Sequence, residues 1–403
     1  VTESQYAQVA QDSADVVIIG AGPAGLVLGN LLQRAGIDCV VLERAASAHI
    51  RHRARAGYLA AHTVRVLERH GLDEGIRLRG QEHSVCEFRT GAGRFRLDYR
   101  HLGRGETHTV HPQHELVSDL LACFVAAGGR VRFGTEAVAV RDADSPAPSV
   151  TVREGDGRPA RWRARYVAAC DGRHGVGRRS LPPGAVRRHR RDHGVTWLGL
   201  LAEAPPSLDA VGYAVHPHGF AGHMARSAEI TRYYLQCARG TLAEEWSDER
   251  IWDELALRMR ASEYGPLVRG RVVQRAVVDL ESDVLEPLRY GSLFLVGDAA
   301  GLISPSAAKG ANLAVLEAEI LARALTDALT RHDLEPLARY SERCLEHIWR
   351  AQEFSHWMIR LLHGTRDPGK SSHFQERLRR SRMASLRDSR THQDWFAENY
   401  VGV

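Results

Sequence analysis

Residues 16–25 read Val-Val-Ile-Ile-Gly-Ala-Gly-Pro-Ala-Gly, an apolar strand running directly into three glycines spaced G-x-G-x-x-G. Each glycine in that pattern has its own task. The first (Gly20) permits a tight turn off the strand, the second (Gly22) lets a pyrophosphate approach the backbone, and the third (Gly25) lets helix and strand pack closely. The helix that follows offers free amides and a positive partial charge to an anion. Residues 24–35 have the helical pattern this needs, and residues 39–42 form a second strand. Glu43 ends that strand, 23 residues after Gly20, where a carboxylate accepts ribose hydroxyls. A lone G-x-G-x-x-G carries little weight. Strand, turn, helix, strand and acid in register predict a dinucleotide-binding βαβ unit.

The bulk properties narrow the class of protein. Of 403 residues, 44% are apolar and 26% charged, an ordinary globular balance that argues against disorder. The formal charge of +5 is too small to indicate a nucleic-acid partner. Six cysteines, at 39, 86, 123, 170, 237 and 344, form neither a C-x-x-C pair nor a disulfide framework, so neither a zinc module nor a secreted scaffold is expected. Residues 1–14 lack a basic region followed by an apolar stretch, and no apolar run approaches the ~20 residues that cross a bilayer. A soluble, cytoplasmic protein without a membrane partner is the expectation.

Further along, residues 116–127 read as helix, and 137–140, 149–153 and 166–169 as strands. Pro182-Pro183-Gly184 breaks the pattern, and the basic run 187–191 reads as a solvated linker, with an anion contact as the alternative. Residues 195–236, rich in β-branched and aromatic residues, predict an inserted sheet. Residues 293–296 return to the frame as a strand, 310–330 and 334–362 are helical, and the last forty residues show weak periodicity. Gly364 to Ser371 fits the literal phosphate-loop pattern G-x-x-x-x-G-K-S. A helical pattern leads into it where a strand is required, so it is read as chance.

Two more acidic turns follow predicted strands: Asp171 in Cys170-Asp171-Gly172-Arg173-His174-Gly175 and Asp298 in Gly297-Asp298-Ala299-Ala300. Either alone would be an ordinary turn aspartate. In order with IIGAGPAGL (18–26), RARAG (53–57), CDGRHG (170–175), WLGLLA (197–202), RSAEITRYY (226–234), WSDER (246–250), GDAA (297–300) and AENYVG (397–402), they make the chain resemble the flavoprotein aromatic hydroxylases, the group A FAD monooxygenases. The resemblance spans nearly the whole chain. It implies an α/β (α+β) fold: a Rossmann-like FAD-binding domain (1–187), a mixed-sheet substrate domain (188–296, with 85–108 contributing strands) and a flavin-contacting helical region (297–403).

The implied cofactor is FAD, with NADH or NADPH as passing reductant, molecular oxygen as co-substrate, and a homodimer as the assembly. On the FAD side the resemblance places Gly20, Gly22, Gly25, Glu43, Arg44, Arg53, Arg55, Gln113, Asp171, Arg232 and Asp298. Pro305 and the Gly310-Ala311-Asn312 turn fall beside the isoalloxazine, and His174 and Arg55 at the nicotinamide contact. On the substrate side, Arg226 pairs with an aromatic carboxylate, Tyr234 assists it, and Met224 and Gly222 line the wall. Tyr213 and Tyr400 hold the substrate phenol, with His83 at the outer end of a proton chain. Such a chain suits chemistry in which a flavin C4a-hydroperoxide delivers electrophilic oxygen, because a phenolate ring is far more electron-rich than a phenol.

The departures set the substrate expectation. Met224 stands where the family has a serine, Ser306 for a threonine, and Tyr58 for a smaller aliphatic. Gly212 and Gly222 replace bulky aliphatics and are expected to open space beside the ring. The expected reaction is hydroxylation, ortho to the phenol, of a 4-hydroxybenzoate-type acid carrying a 3-amino or 3-hydroxy group. Hydroxylation elsewhere, oxidative decarboxylation and arylamine oxidation are alternatives, and a non-catalytic flavin-binding sensor is the alternative of a different class. Glu281 and His49, in place of an Arg and a Tyr near the 2′-phosphate, point to NADH or a weak preference.

Overall fold

A computed structural model of the chain describes residues 11–52, 57–364 and 370–402. Its frame is a six-stranded sheet in the order Arg289–Tyr290, Leu293–Leu295, Tyr166–Ala169, Val16–Ile19, Cys39–Glu43, Arg130–Phe133, parallel except at the Arg289–Tyr290 edge. Val16–Ile19 is buried at every position, as an interior parallel strand should be. The first helix, Pro23–Arg34, starts with proline in its first turn, where no amide partner is lost. A methyl group on Gly25 would sit 2.0 Å from the Gly20 carbonyl oxygen, so only glycine lets this helix meet its strand. Helices Gln113–Ala126 and Gly310–Thr326 contribute to the same apolar core. Because Leu293–Leu295 pairs with Tyr166–Ala169, the inserted unit ends before Leu293 and not at 296.

The inserted unit is an eight-stranded sheet, ordered Gly301–Leu302, Arg271–Glu286, Arg187–Glu203, Ile230–Cys237, Gly219–Ala225, Val211–His216, Val85–Thr90, Gly93–Asp98. Alternation divides its side chains between two faces. Trp197, Tyr213, Phe220, Met224 and Tyr234 share one face. Leu198, Leu200, Ala214, Ala221, Tyr233 and Leu235 lie on the other, against helix Asp248–Arg258. A small three-stranded sheet, Tyr58–Leu59, His108–Val110 and Gln81–His83, closes the first face.

Two expectations are corrected. The basic run 187–191 is no linker; it is the first part of the 17-residue strand Arg187–Glu203. The facing strand supplies carboxylates for it: Arg188 Nη2 donates to Asp283 Oδ2 at 2.6 Å and Arg190 Nη2 to Glu281 Oε1 at 2.7 Å. The C-terminal stretch, read as weakly periodic, forms helices Lys370–Asp388 and Arg390–Val401. Their apolar stripe is narrow (Met383, Leu386, Phe396, Ala397, Tyr400, Val401) and is diluted in sequence by exposed arginines. The phosphate-loop look-alike lies mostly outside the described residues; helix Tyr340–Leu362, not a strand, precedes it. Among the described residues no helix is long and apolar enough to cross a membrane, and no His, Cys, Asp and Glu group is arranged to hold a metal.

Candidate active site

The glycine turn and the second strand frame a cleft of about 230 Å³ lined by Ala21, Gly22, Pro23, Glu43, Arg44, Ala45, His49 and Gln113 among others. Gly20 has φ +103°, which glycine adopts readily. A methyl group on Gly22 would meet nothing within 4 Å, so this glycine faces the open cleft. Each Glu43 oxygen accepts one backbone amide, Oε2 from Ala21 and Oε1 from Ala45, both at 2.8 Å. A second acceptor site remains on each oxygen for ribose hydroxyls. Arg53 and Arg55 lie outside the described residues. The exposed His174 takes Arg179 Nη1 on its carbonyl oxygen at 2.5 Å.

Asp171 accepts the Gly177 amide on Oδ2 at 3.0 Å, and its Oδ1 is buried with no partner among the described residues. Burial raises its pKa above the usual carboxylate range. A methyl group on Gly175 would lie 2.0 Å from the Asp171 carboxyl carbon, which accounts for the second glycine of CDGRHG. Asp298 sits in a tight 3₁₀ turn whose carbonyl takes Arg178 Nη2 at 3.1 Å. This cradle, an open glycine wall with an acid positioned for ribose and a buried oxygen awaiting a donor, fits the adenosine and pyrophosphate half of a flavin dinucleotide.

The turn Pro305–Ala307 leads into helix Gly310–Thr326, whose start carries the positive end of the helix dipole; the resemblance expects the flavin ring here. The Asn312 side chain has a structural part of its own beside the expected role of the turn's backbone amides. Its Oδ1 accepts from Ala60 N at 2.8 Å and Thr63 Oγ1 at 2.7 Å, while its Nδ2 donates to Tyr58 O at 3.1 Å and Ala308 O at 2.9 Å. The amide is saturated and staples the Tyr58 strand to the helix start; only its backbone N–H is left for a ligand.

On the first face of the eight-stranded sheet, register sets Tyr213, Gly222 and Tyr234 in one cross-strand row, and Met224 and Arg232 in the next. Arg226 follows directly, 7% exposed, and burial with neighbouring Arg232 lowers its pKa to about 10. Arg232 lies with its guanidinium carbon 5.8 Å from the Tyr234 ring centre, and its Nε has no partner among the described residues. Two expectations about the wall fail here. A methyl group on Gly222 would come 2.9 Å from Phe220 Cζ and 3.3 Å from Tyr234 Cδ2, so aromatic neighbours already fill the space. Gly212 alternates with Tyr213 and faces the other side of the sheet, toward Met259 and Leu208. Neither glycine opens the pocket.

Tyr213 Oη and Tyr400 Oη lie 2.7 Å apart, both buried, and burial raises both phenols above the usual range. His83 does not bond Tyr400; its Nδ1 lies 2.7 Å from Tyr99 Oη. The Tyr99 ring in turn touches that of Tyr400, centres 5.6 Å apart. Burial lowers the His83 pKa to about 4, so at neutral pH the ring is uncharged. Several participants escaped the sequence reading. Tyr99 lies between His83, which it hydrogen-bonds, and Tyr400, whose ring it touches. His108 packs on Tyr400 with ring centres 5.0 Å apart. Trp197 lies 4.8 Å from the Tyr234 ring. Lys309, 1% exposed, donates from Nζ to the carbonyls of Tyr400, at 3.0 Å, and Gly402. Burial lowers its pKa to about 7. Residues 309 and 310–312 adjoin in the turn already assigned, so that lysine at least was visible beside a motif.

Comparison with known proteins bears on this geometry. Residues 13–355 match the family model described as FAD binding domain. The chain is 37% identical over 388 residues to p-hydroxybenzoate hydroxylase of Acinetobacter baylyi, covering 96% of this chain and 95% of that one. It is 28% identical over 352 residues to a 3-amino-4-hydroxybenzoate 2-monooxygenase of Streptomyces platensis, covering 83% and 84% of the two chains. Among solved structures, p-nitrophenol 4-monooxygenase of Pseudomonas putida superposes with a TM-score of 0.79 over 98% of this chain and 99% of that one, at 18% identity.

Proposed function

The chain belongs to the flavoprotein aromatic hydroxylases, and on that premise we propose that it hydroxylates a 4-hydroxybenzoate-type acid ortho to the phenol. The observation that carries the reading is the pairing of buried Arg226 and Tyr234 with the Tyr213–Tyr400 hydrogen bond on one face of one sheet. The glycine turn, Glu43 and the Gly310 helix start would hold FAD, which would supply the oxygen-activating redox chemistry, with NAD(P)H as reductant.

The chain's own residues bind and prepare the ring. The Arg226 guanidinium offers a fork to the carboxylate, worth two parallel charge-assisted hydrogen bonds. Tyr213 Oη accepts the substrate's phenolic proton while Tyr400 Oη accepts from Tyr213. Tyr99, in ring contact with Tyr400, and His83, hydrogen-bonded to Tyr99, lie outward of this pair. Deprotonation after binding confines the activated ring to a closed site. We assign the eight-stranded sheet to substrate and the parallel-sheet frame to cofactor.

A 3-substituted acid is the second reading. It loses the support of Gly212 and Gly222, and what favours it is the Streptomyces relative, whose name gives 3-amino-4-hydroxybenzoate as substrate. For the nicotinamide, the case against NADPH weakens: Glu281 is engaged by Arg173 at 3.0 Å and Arg190 at 2.7 Å, so two guanidiniums offset one carboxylate. The decisive experiment is a panel of substituted benzoates screened for stimulated NADH and NADPH consumption, with products identified by mass. Stimulation by 4-hydroxybenzoate with formation of the 3-hydroxylated acid is expected. Failure of every 4-hydroxylated benzoate to stimulate would overturn the proposal. The homodimer is proposed on the resemblance alone and is tested by light scattering.

A further inference from the structure

Tyr58 stands on a two-residue strand pinned from both sides. Asn312 Nδ2 donates to its carbonyl, and pairing with Val110 places it on the same face of the small sheet as His83 and His108. Its ring meets those two edge-on, with centres 5.5 and 5.8 Å away. The residue is 3% exposed, yet its Oη is buried with no hydrogen-bond partner among the described residues. A buried phenol oxygen left so is costly, and folded proteins rarely keep such a group without a use for it.

The surroundings say what the use is. Burial pushes the phenol above the usual tyrosine range; among the charged groups acting on it Arg226 counts most, and Tyr58 acts on Arg226 in return. Tyr58 packs in the same apolar cluster as Met224 and Tyr234, and its hydroxyl stays protonated, a donor, throughout the working pH range. Met224, on the wall beside Arg232, has no hydroxyl to offer. A carboxylate has about four lone-pair sites. An Arg226 fork fills two and Tyr234 a third.

We propose that Tyr58 Oη donates the fourth hydrogen bond to the carboxylate of the bound aromatic acid, making Tyr58 a substrate-binding residue that compensates for Met224. The inference rests on the substrate reading above, and one experiment separates the two. The FAD-loaded wild type and Tyr58→Phe are titrated with benzoate, 4-hydroxybenzoate, 3-amino-4-hydroxybenzoate and phenol, following the flavin absorbance change. Tyr58→Phe should weaken the three carboxylates by about 10- to 100-fold and leave phenol within about two-fold. Unchanged carboxylate affinity, or equal weakening of phenol and benzoate, overturns the assignment. A penalty confined to the 3-amino acid also overturns it, since the hydroxyl would then read a ring substituent. So does weakened FAD retention with all ligands equally affected, which would move the partner to the cofactor. If the wild type binds none of the carboxylates, the substrate reading itself fails and takes this inference with it.

Discussion

Replacing Arg226 with methionine should nearly abolish the protein's affinity for an aromatic acid. Arg226 is 7% exposed, and its pKa is lowered to about 10 from 12.5 by burial and by Arg232. Because the folded pKa is the lower one, the unfolded chain holds this proton more tightly, and between pH 10 and 12.5 stability rises with pH. Below pH 10, which includes neutrality, the whole cost is present, about 3 kcal/mol from that difference. Methionine keeps much of the length and removes the charge, and with it both the burial cost and whatever the guanidinium holds in the free protein. The carboxylate, in contrast, loses the partner of a desolvated ion pair, worth about 3–5 kcal/mol or on the order of 10²- to 10³-fold in Kd. Urea unfolding of the free protein and flavin-absorbance titration of the FAD-loaded enzyme with 4-hydroxybenzoate measure the two halves. Arg226→Lys, which keeps the charge and loses the fork, should fall between wild type and methionine in affinity. A variant several kcal/mol less stable whose affinity drops less than about five-fold would show that Arg226 serves the fold and not the ligand.

Tyr400→Phe strands the buried Tyr213 hydroxyl and should cost about 1–2 kcal/mol. Its product yield per NAD(P)H consumed should fall at pH 7 and recover as pH approaches the substrate phenol's own pKa; an unaltered yield at pH 7 would remove the tyrosine pair from the proton path. Gly222→Ala forces a methyl group to 2.9 Å from Phe220 Cζ and should lose about 1–3 kcal/mol by thermal unfolding, with no gain for bulkier substrates. Retained stability would show free room after all. Burial raises the Glu317 pKa to about 8, against the pull of the Gly297 amide 2.6 Å away. The folded state then keeps a proton that the unfolded chain sheds above about pH 4.5, so this residue erodes stability as pH climbs from 4.5 to 8. Urea unfolding of Glu317→Gln should show an advantage over wild type that widens between pH 5.5 and 8.5; a constant offset refutes it.

The cofactor half of the fold was legible because each step of it is local. Gly20, Gly22, Gly25 and Glu43 are constrained by neighbours a few residues or one βαβ unit away. The strand through 187–203 was hidden because its arginines are satisfied by Asp283 and Glu281, some ninety residues on, and nothing local marks that pairing. Tyr213, Tyr400, Arg226 and Tyr234 were reached by resemblance and not by pattern. Resemblance aligns positions but not directions, so it misjudged Gly212, which points away from the site, and Gly222, whose space is taken by an aromatic ring. It also passed over Tyr99 and His108, which become neighbours of Tyr400 only once the C-terminal helix docks on the small sheet.

The alternation of the eight-stranded sheet has a practical meaning for anyone wishing to alter what this protein accepts. Along Val211–His216, Gly219–Ala225 and Ile230–Cys237, positions 213, 222, 224, 232 and 234 share the face we propose for substrate, while 214, 221, 233 and 235 belong to a separate apolar core. A mutant library that randomises consecutive residues spends half its diversity on stability losses. One that varies every second residue explores specificity on an undisturbed scaffold, and a single-residue insertion in any of these strands would exchange the two sets at once.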